Sequence, residues 1–201
     1  MVAIIDYGMG NVASVQKALN FLNVNSLITN DHKTIQDADV ILLPGVGSFL
    51  QGMKNLEERG LVGLLTEEVM ANKKKFLGIC LGMQLIMETG TEPYQSKGLG
   101  WIEGEVIKFE LKDLNIPHMG WNNINVKNPA FYTKNEASDF YFIHSYHVVP
   151  KNTEDVAATV SYGFDVVASI QKDNIFATQF HPEKSQTAGL TLLRNFFASH
   201  A

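Results

Sequence analysis

Cys80 is the only cysteine in the chain, and it stands in the run Gly78-Ile79-Cys80-Leu81-Gly82, after an apolar stretch and before a helical pattern. A strand that turns at once into a helix lifts the turn residue to the edge of the sheet. Close neighbours must then lack bulk, so G-x-C-x-G has the form of a nucleophile elbow with a thiol in place of the serine hydroxyl. A helix opening at Cys80 turns its positive end towards the sulfur, which favours thiolate, and leaves the Leu81 N–H free to meet an oxyanion. Without the glycines, a lone cysteine reads as a small buried hydrophobe.

A thiol nucleophile needs a base, and the base needs a group that orients it. His181 and Glu183, in the run IFATQFHPEKSQ, follow a buried strand and flank Pro182, whose ring fixes the local φ. Side chains at i and i+2 of extended backbone point the same way, so Glu183 can hold one side of the imidazole while Cys80 approaches the other. The run LLPGVGSF supplies a third piece. A strand ends at Leu43, and Gly45 and Gly47 around Val46 make a loop whose peptide groups can point inward and donate an N–H to an oxyanion. Taken singly, His-Pro-Glu is equally a surface turn and Pro-Gly-Val-Gly an ordinary glycine turn.

These three pieces must be carried by a scaffold. Val2–Asp6, Ser26–Thr29, Val40–Leu43 and Phe76–Ile79 read as short buried strands. They are separated by helical patterns over Val12–Leu22 (capped by Asn11), Leu61–Ala71 and Leu81–Glu88. Strands without polar alternation, divided by helices, predict a mostly parallel central sheet covered by helices. From Gly98 the signals turn to strands: Glu105–Phe109, Asn122–Val126, Phe140–Ile143, Val156–Val160, Val166–Gln171 and Ile175–Gln179, with a closing helix over Leu190–Phe197. The Lys73–Lys75 run reads as a solvated helix end. With no linker between the halves, residues 1–201 read as one α/β domain with a β-rich second half.

The composition fits this scaffold. The 201 residues are 45% hydrophobic and 18% charged, enough for one sizeable core. A net charge of −5 argues against nucleic acid as the main partner. One cysteine forms no internal disulfide, which suits a reducing cytoplasm. The start, MVAIIDYGMGN, reads as a first strand and not as a signal peptide, and no apolar run reaches membrane-spanning length. His144 and His147 stand three apart without a companion Cys/His set, so neither a metal nor another cofactor is expected.

P-G-V-G, G-I-C-L-G-M-Q and H-P-E-K-S, in that order, resemble the class I (triad) glutamine amidotransferases. IIDYGMGN at the start, PHMGWN at 117–122, FIHSYH at 142–147 and ATQFHPEKS at 177–185 look like the glutaminase subunits of imidazole glycerol phosphate synthase, and the likeness runs from Ile4 to Phe197. It implies the class I amidotransferase fold and a Cys80–His181–Glu183 triad that hydrolyses L-glutamine through a thioester. The oxyanion hole would then be Leu81 with Val46 or Gly47. Gln84 would contact the substrate, backbone groups of His144, Ser145 and Tyr146 would hold its amino-acid end, and Glu88 its α-amino group. The resemblance also implies a heterodimer with a (β/α)8-barrel cyclase. That partner would use the ammonia on a ribulosyl nucleotide, giving imidazole glycerol phosphate and an aminoimidazole carboxamide ribotide. Asn11, Met119, Trp121 and Lys184 match positions at or near that interface. Family behaviour further implies a glutaminase nearly silent until the partner holds its substrate.

Rival readings remain open on the residues alone. Gly8-x-Gly10-x-x-Ala13 after a first strand, with Asp31 beyond, has the outline of a dinucleotide fingerprint. A peptide-cleaving cysteine hydrolase would share the elbow. A glutaminase subunit could also serve another ammonia-consuming synthase, such as one that builds surface sugars.

Overall fold

The order of strands explains why the sequence changes character halfway. The computed structural model describes residues 1–129, 131–133 and 139–199. In its first part β1 (Val2–Ile5), α1 (Val12–Phe21), β2 (Ser26–Thr29), α2 (His32–Asp37), β3 (Val40–Gly45), α3 (Phe49–Glu58), α4 (Leu61–Thr66), β4 (Lys75–Cys80) and α5 (Leu81–Leu85) succeed one another. Strands then dominate: β5 (Met87–Gly90), β6 (Ser96–Lys97), β7 (Ile102–Lys108), β8 (His118–Val126), β9 (Asp139–His144) and β10 (Tyr146–Pro150). They are followed by β11 (Val156–Ser161), β12 (Asp165–Lys172), β13 (Ile175–Thr178) and the closing α6 (Gln186–Ala198).

The main sheet runs β2-β1-β3-β4-β13-β12-β11-β8-β9. From β2 to β13 neighbours are parallel. From β13 to β9 they are antiparallel. The parallel strands are the apolar runs of the first half plus β13, and the β-rich second half extends them as a meander. A smaller sheet, β10-β7-β5-β6, packs beside them. Successive residues of the parallel strands face opposite cores, as the pleat requires. Ala3, Ile5, Ile41 and Leu43 meet α3, α4, α5 and the smaller sheet. Val2, Ile4, Leu42, Leu77 and Ile79 meet α1 and α6. Burial on both faces is why these strands show no polar alternation.

The structure departs from the sequence-based expectations in three places. The helix after Cys80 stops at Leu85, not Glu88, because its last carbonyls are taken from outside. Those of Leu85, Ile86 and Met87 accept N–H bonds from Leu99, Trp101 and Gly100. Gly98 allows that approach, since a Cβ there would lie 2.1 Å from the Met87 carbonyl oxygen. Residues 61–71 are helical as expected, but the last turn, Glu67–Ala71, widens to a π-helix. The lysine run is not simply solvated. Lys74 pairs with Glu68 at 2.8 Å, and Lys75 is buried. Its Nζ donates to the carbonyls of Phe196 and Ser199 at the end of α6, 2.5 and 2.6 Å away, where cations are favoured.

Candidate active site

The site is assembled by register. β4 lies between β3 and β13, with Gly45 opposite Cys80 on one side and Thr178 opposite Ile79 on the other. All three strands are parallel, so their C-terminal ends open together. The loop through Val46 and Gly47 and the segment leading to His181 therefore leave the sheet on either side of Cys80. Such carboxyl ends of parallel strands are where ligands bind in open α/β sheets.

Cys80 itself has φ +54° and ψ −106°. A β-carbon-bearing residue held there stores roughly 1–3 kcal/mol of backbone strain, and the strain turns the chain from β4 into α5 within one residue. The flanking glycines are needed by packing. A Cβ on Gly82 would sit 1.9 Å from the Leu43 carbonyl oxygen, and one on Gly78 would sit 3.0 Å from the Gly82 carbonyl. α5 thus lies directly on the end of β3. Because α5 spans five residues, its dipole is a smaller aid to a thiolate than a full-length helix would give.

His181 follows on the other side, 2% exposed, with its Nδ1 2.7 Å from Glu183 Oε1. The short helical turn Pro182–Lys184 brings the two side chains together, and Ser185 fixes that turn. Its Oγ donates to the His181 carbonyl and accepts from the Tyr141 N–H of β9. A Cβ on Gly189 would lie 1.8 Å from the Pro182 carbonyl, so α6 must present glycine there. Burial by itself lowers the His181 pKa. The neighbouring Cys80 sulfur and the Glu183 hydrogen bond, with the negative charge of both, overcome it, raising the value to about 9. Nε2 has no hydrogen bond of normal geometry, and it is the ring atom left to exchange a proton with sulfur or substrate.

A cavity of about 410 Å³ opens above Cys80, and Val46, Gly47, Leu81, Gln84, His144, Ser145, Tyr146 and Lys184 line it. Eight of the positions singled out from sequence therefore meet around the thiol. Leu81 is the first residue of α5, so its N–H has no partner within the helix. Gly47 has φ +104°, and the loop is backed by Gly10, where a Cβ would lie 3.2 Å from the Pro44 carbonyl. Gln84 donates through Nε2 to the Tyr146 carbonyl and to Gln179 Oε1, both at 3.1 Å.

Other expected positions lie elsewhere. Glu88 is not one helical turn beyond Gln84. It stands on β5 with its carboxylate on the Gly104 N–H, away from the cavity. Glu92, which sequence reasoning misses, lines the cavity instead and accepts the Phe49 N–H. No local pattern marks it, because it arrives on a turn. Gln179 and Ser185 are missed as well, although both lie inside the ATQFHPEKS run. The dinucleotide outline is used otherwise. Asn55 bonds the Tyr7 carbonyl and Arg59 abuts Gly8, while the Asp31 side chain caps α2 through Thr34.

Asn11 caps α1 through the Ser14 N–H. Met119 and Trp121 project from β8, 61% and 46% exposed, opposite Ile143 and Tyr141 of β9. Together they make an apolar strip beside the cavity, whose lining also includes Ile143 and Lys184. The opposite face of the same strand pair is buried and carries His118 and His144. Burial lowers these two histidines to about 4 and about 3.

The histidines therefore act on stability with opposite signs. His118 and His144 stay neutral in the fold but protonate near 6.5 when unfolded, so the folded state loses stability as pH falls from 6.5 towards 4. His181 binds its proton more tightly when folded. Its contribution is complete below pH 6.5 and is lost as pH rises through about 9. Urea midpoints measured from pH 4 to 10 should fall on both sides, and His181→Asn should remove the alkaline decline alone.

The profile of the Glutamine amidotransferase class-I family matches residues 3–200. A Campylobacter jejuni protein named imidazole glycerol phosphate synthase subunit HisH 1 is 54% identical over 98% of both chains. Similar proteins named HisH 2 from Pseudomonas aeruginosa and HisH from Geobacter sulfurreducens are 42% and 44% identical, over 98% and 97% of both chains. Among solved structures, a glutamine amidotransferase superposes with TM-score 0.74 at 18% identity, covering 98% of this chain and 97% of the other. Another glutamine amidotransferase, from Thermotoga maritima, gives TM-score 0.68 at 14% identity over 98% and 95%. These likenesses run through every strand that builds the site, and the chain belongs to the class-I glutamine amidotransferases and, among them, to the HisH subunits of imidazole glycerol phosphate synthase.

Proposed function

We propose that this chain, acting as one domain in the cytoplasm, hydrolyses L-glutamine and passes the ammonia to a cyclase subunit in histidine biosynthesis. The observation that carries the reading is Cys80 on a strained elbow, set by register between the Val46–Gly47 loop and the His181–Glu183 pair. Relatives of the same length bear the synthase-subunit name.

In this reading the Cys80 sulfur attacks the side-chain amide carbon of glutamine. The oxyanion that forms is met by the Leu81 N–H and by an N–H of the Val46–Gly47 loop. His181 gives its proton to the nitrogen, the C–N bond breaks, and ammonia leaves behind a γ-glutamyl thioester. His181, held through Nδ1–H by Glu183, then takes a proton from water as it attacks, and glutamate departs with the thiol restored. Gln84 uses its N–H donors inside the protein, so Oε1 is its atom for the substrate. Groups of the 144–146 stretch hold the amino-acid end, with Glu92 in place of Glu88 as the carboxylate in reach.

The cyclase, with a (β/α)8 barrel, would seat on the strip of Met119, Trp121, Tyr141 and Ile143, with Lys184 at its edge. There it consumes a ribulosyl nucleotide and releases imidazole glycerol phosphate and aminoimidazole carboxamide ribotide. Trp121→Ala should weaken that complex about tenfold or more, as loss of an exposed aromatic anchor does, read by titration calorimetry without change in the melting temperature. The test of function is glutamate release by the purified pair. Stimulation by the ribulosyl intermediate supports the reading. A chain that hydrolyses glutamine with a different synthase and ignores this cyclase would overturn the assignment of the acceptor.

A further inference from the structure

One carbonyl sets the direction of a hydrogen-bond chain that the hydrolytic reading leaves unused. The Tyr146 carbonyl oxygen is 2.8 Å from His144 Nδ1 and 3.1 Å from Gln84 Nε2. A carbonyl only accepts, so both nitrogens must donate to it. Each assignment forces the next. His144 is neutral with its proton on Nδ1, so its Nε2 accepts, and the contact with His118 Nδ1 at 2.9 Å makes His118 the donor. His118 Nε2 then accepts in turn, and Asn122 Nδ2, 2.6 Å away, donates to it. In the other direction, the Gln84 amide nitrogen also meets Gln179 Oε1 at 3.1 Å. That turns the Gln179 Nε2–H towards the Cys80 sulfur, 3.7 Å away. His118, His144, Gln84 and Gln179 are all buried, so the bonds among them are shielded from bulk water. Ring stacking of His118 on Tyr162 and Phe142 holds its plane.

We infer that Gln179 holds the Cys80 thiolate by an N–H donor whose orientation is dictated through Gln84 by the Tyr146 carbonyl, the acceptor on which the Asn122–His118–His144 chain also ends. Gln179 touches the reacting sulfur. Asn122, His118 and His144 are positioning residues that hold the Tyr146 carbonyl from its other side. The chain begins beside Trp121 on β8, so the strand that carries the exposed apolar strip on one face carries the route to the nucleophile on the other. The function of this route rests on the glutaminase reading, but its existence does not.

The tests use no glutamine, so their failure and the failure of the hydrolytic reading are separable. In the ¹⁵N-labelled full chain at pH 7, long-range imidazole spectra should show His118 and His144 both neutral with the proton on Nδ1. A proton on Nε2 of either ring overturns the chain. Gln179→Glu keeps the acceptor for Gln84 and replaces the donor to sulfur. Alkylation of Cys80 by iodoacetamide at pH 7 should slow about tenfold, the scale of a lost hydrogen bond to a charged group, with its pH profile displaced upward. An unchanged profile in a folded variant removes Gln179 from the role. Should that variant fail to fold, Asn122→Asp, at a half-buried position, puts an acceptor at the far end. It should move the His118 proton to Nε2 and slow alkylation about threefold, a fraction of the tenfold loss at the sulfur itself. An unmoved His118 signal or an unchanged alkylation rate overturns the coupling.

Discussion

Replacing Cys80 by alanine is expected to abolish glutamine-dependent synthesis by the subunit pair, by about 10⁴-fold or more, while synthesis from added ammonium continues at its original rate. The size follows from the proposed chemistry, in which removing the nucleophile of the covalent triad leaves only the binding and oxyanion contributions. The selectivity follows from placement. Cys80 lies inside the cavity, whereas Met119 and Trp121 project outward from the exposed face of β8. The variant should still bind the cyclase with undiminished affinity. Loss of both activities would show that the substitution had disturbed the interface or the fold.

Gly82→Ala carries the second large effect, this time on stability. The added carbon would meet the Leu43 carbonyl oxygen at 1.9 Å, a backbone atom that cannot swing aside. α5 must lift off β3 and carry Cys80 with it. A cost on the order of 3 kcal/mol is expected for overpacking of this kind, or roughly 6–12 °C in melting temperature for a chain of this size. The control has the opposite sign. Gly63 lies inside α4, and a Cβ there meets nothing within 4 Å. Gly63→Ala should raise stability by about 0.5–1 kcal/mol through helix propensity alone. Differential scanning calorimetry on the two variants separates steric demand from backbone entropy.

The contrast between these glycines shows where sequence reading succeeds. G-x-C-x-G announces an elbow, and the structure has one, but avoidance of bulk near the nucleophile is only part of the cause. At Gly82 the geometry gives a different reason, which is close contact between α5 and β3. The parallel strands are legible because burial on both faces leaves continuous apolar runs. The convergence of Val46, Cys80 and His181 is not readable from spacing. It depends on which strands become neighbours, and β13 joins β4 across the 95 positions that separate Cys80 from Ile175. Glu88 is misplaced by sequence reading for a similar reason. Helical periodicity continues through Met87, but tertiary N–H donors from Leu99 to Trp101 claim the carbonyls the helix needs. The His118–His144 contact is the extreme case, since only the pairing of β8 with β9 brings those rings together.

The nucleophilic role of Cys80 is tested by catching the covalent intermediate. The chain, in complex with its cyclase and the ribulosyl substrate, is quenched in acid during steady turnover of glutamine and its peptides are weighed. A γ-glutamyl group is expected on the peptide containing Cys80, absent without glutamine and lost when Cys80 is replaced by alanine. Full-rate glutamate release with no adduct on Cys80, or undiminished release after Cys80 has been alkylated, would contradict that role.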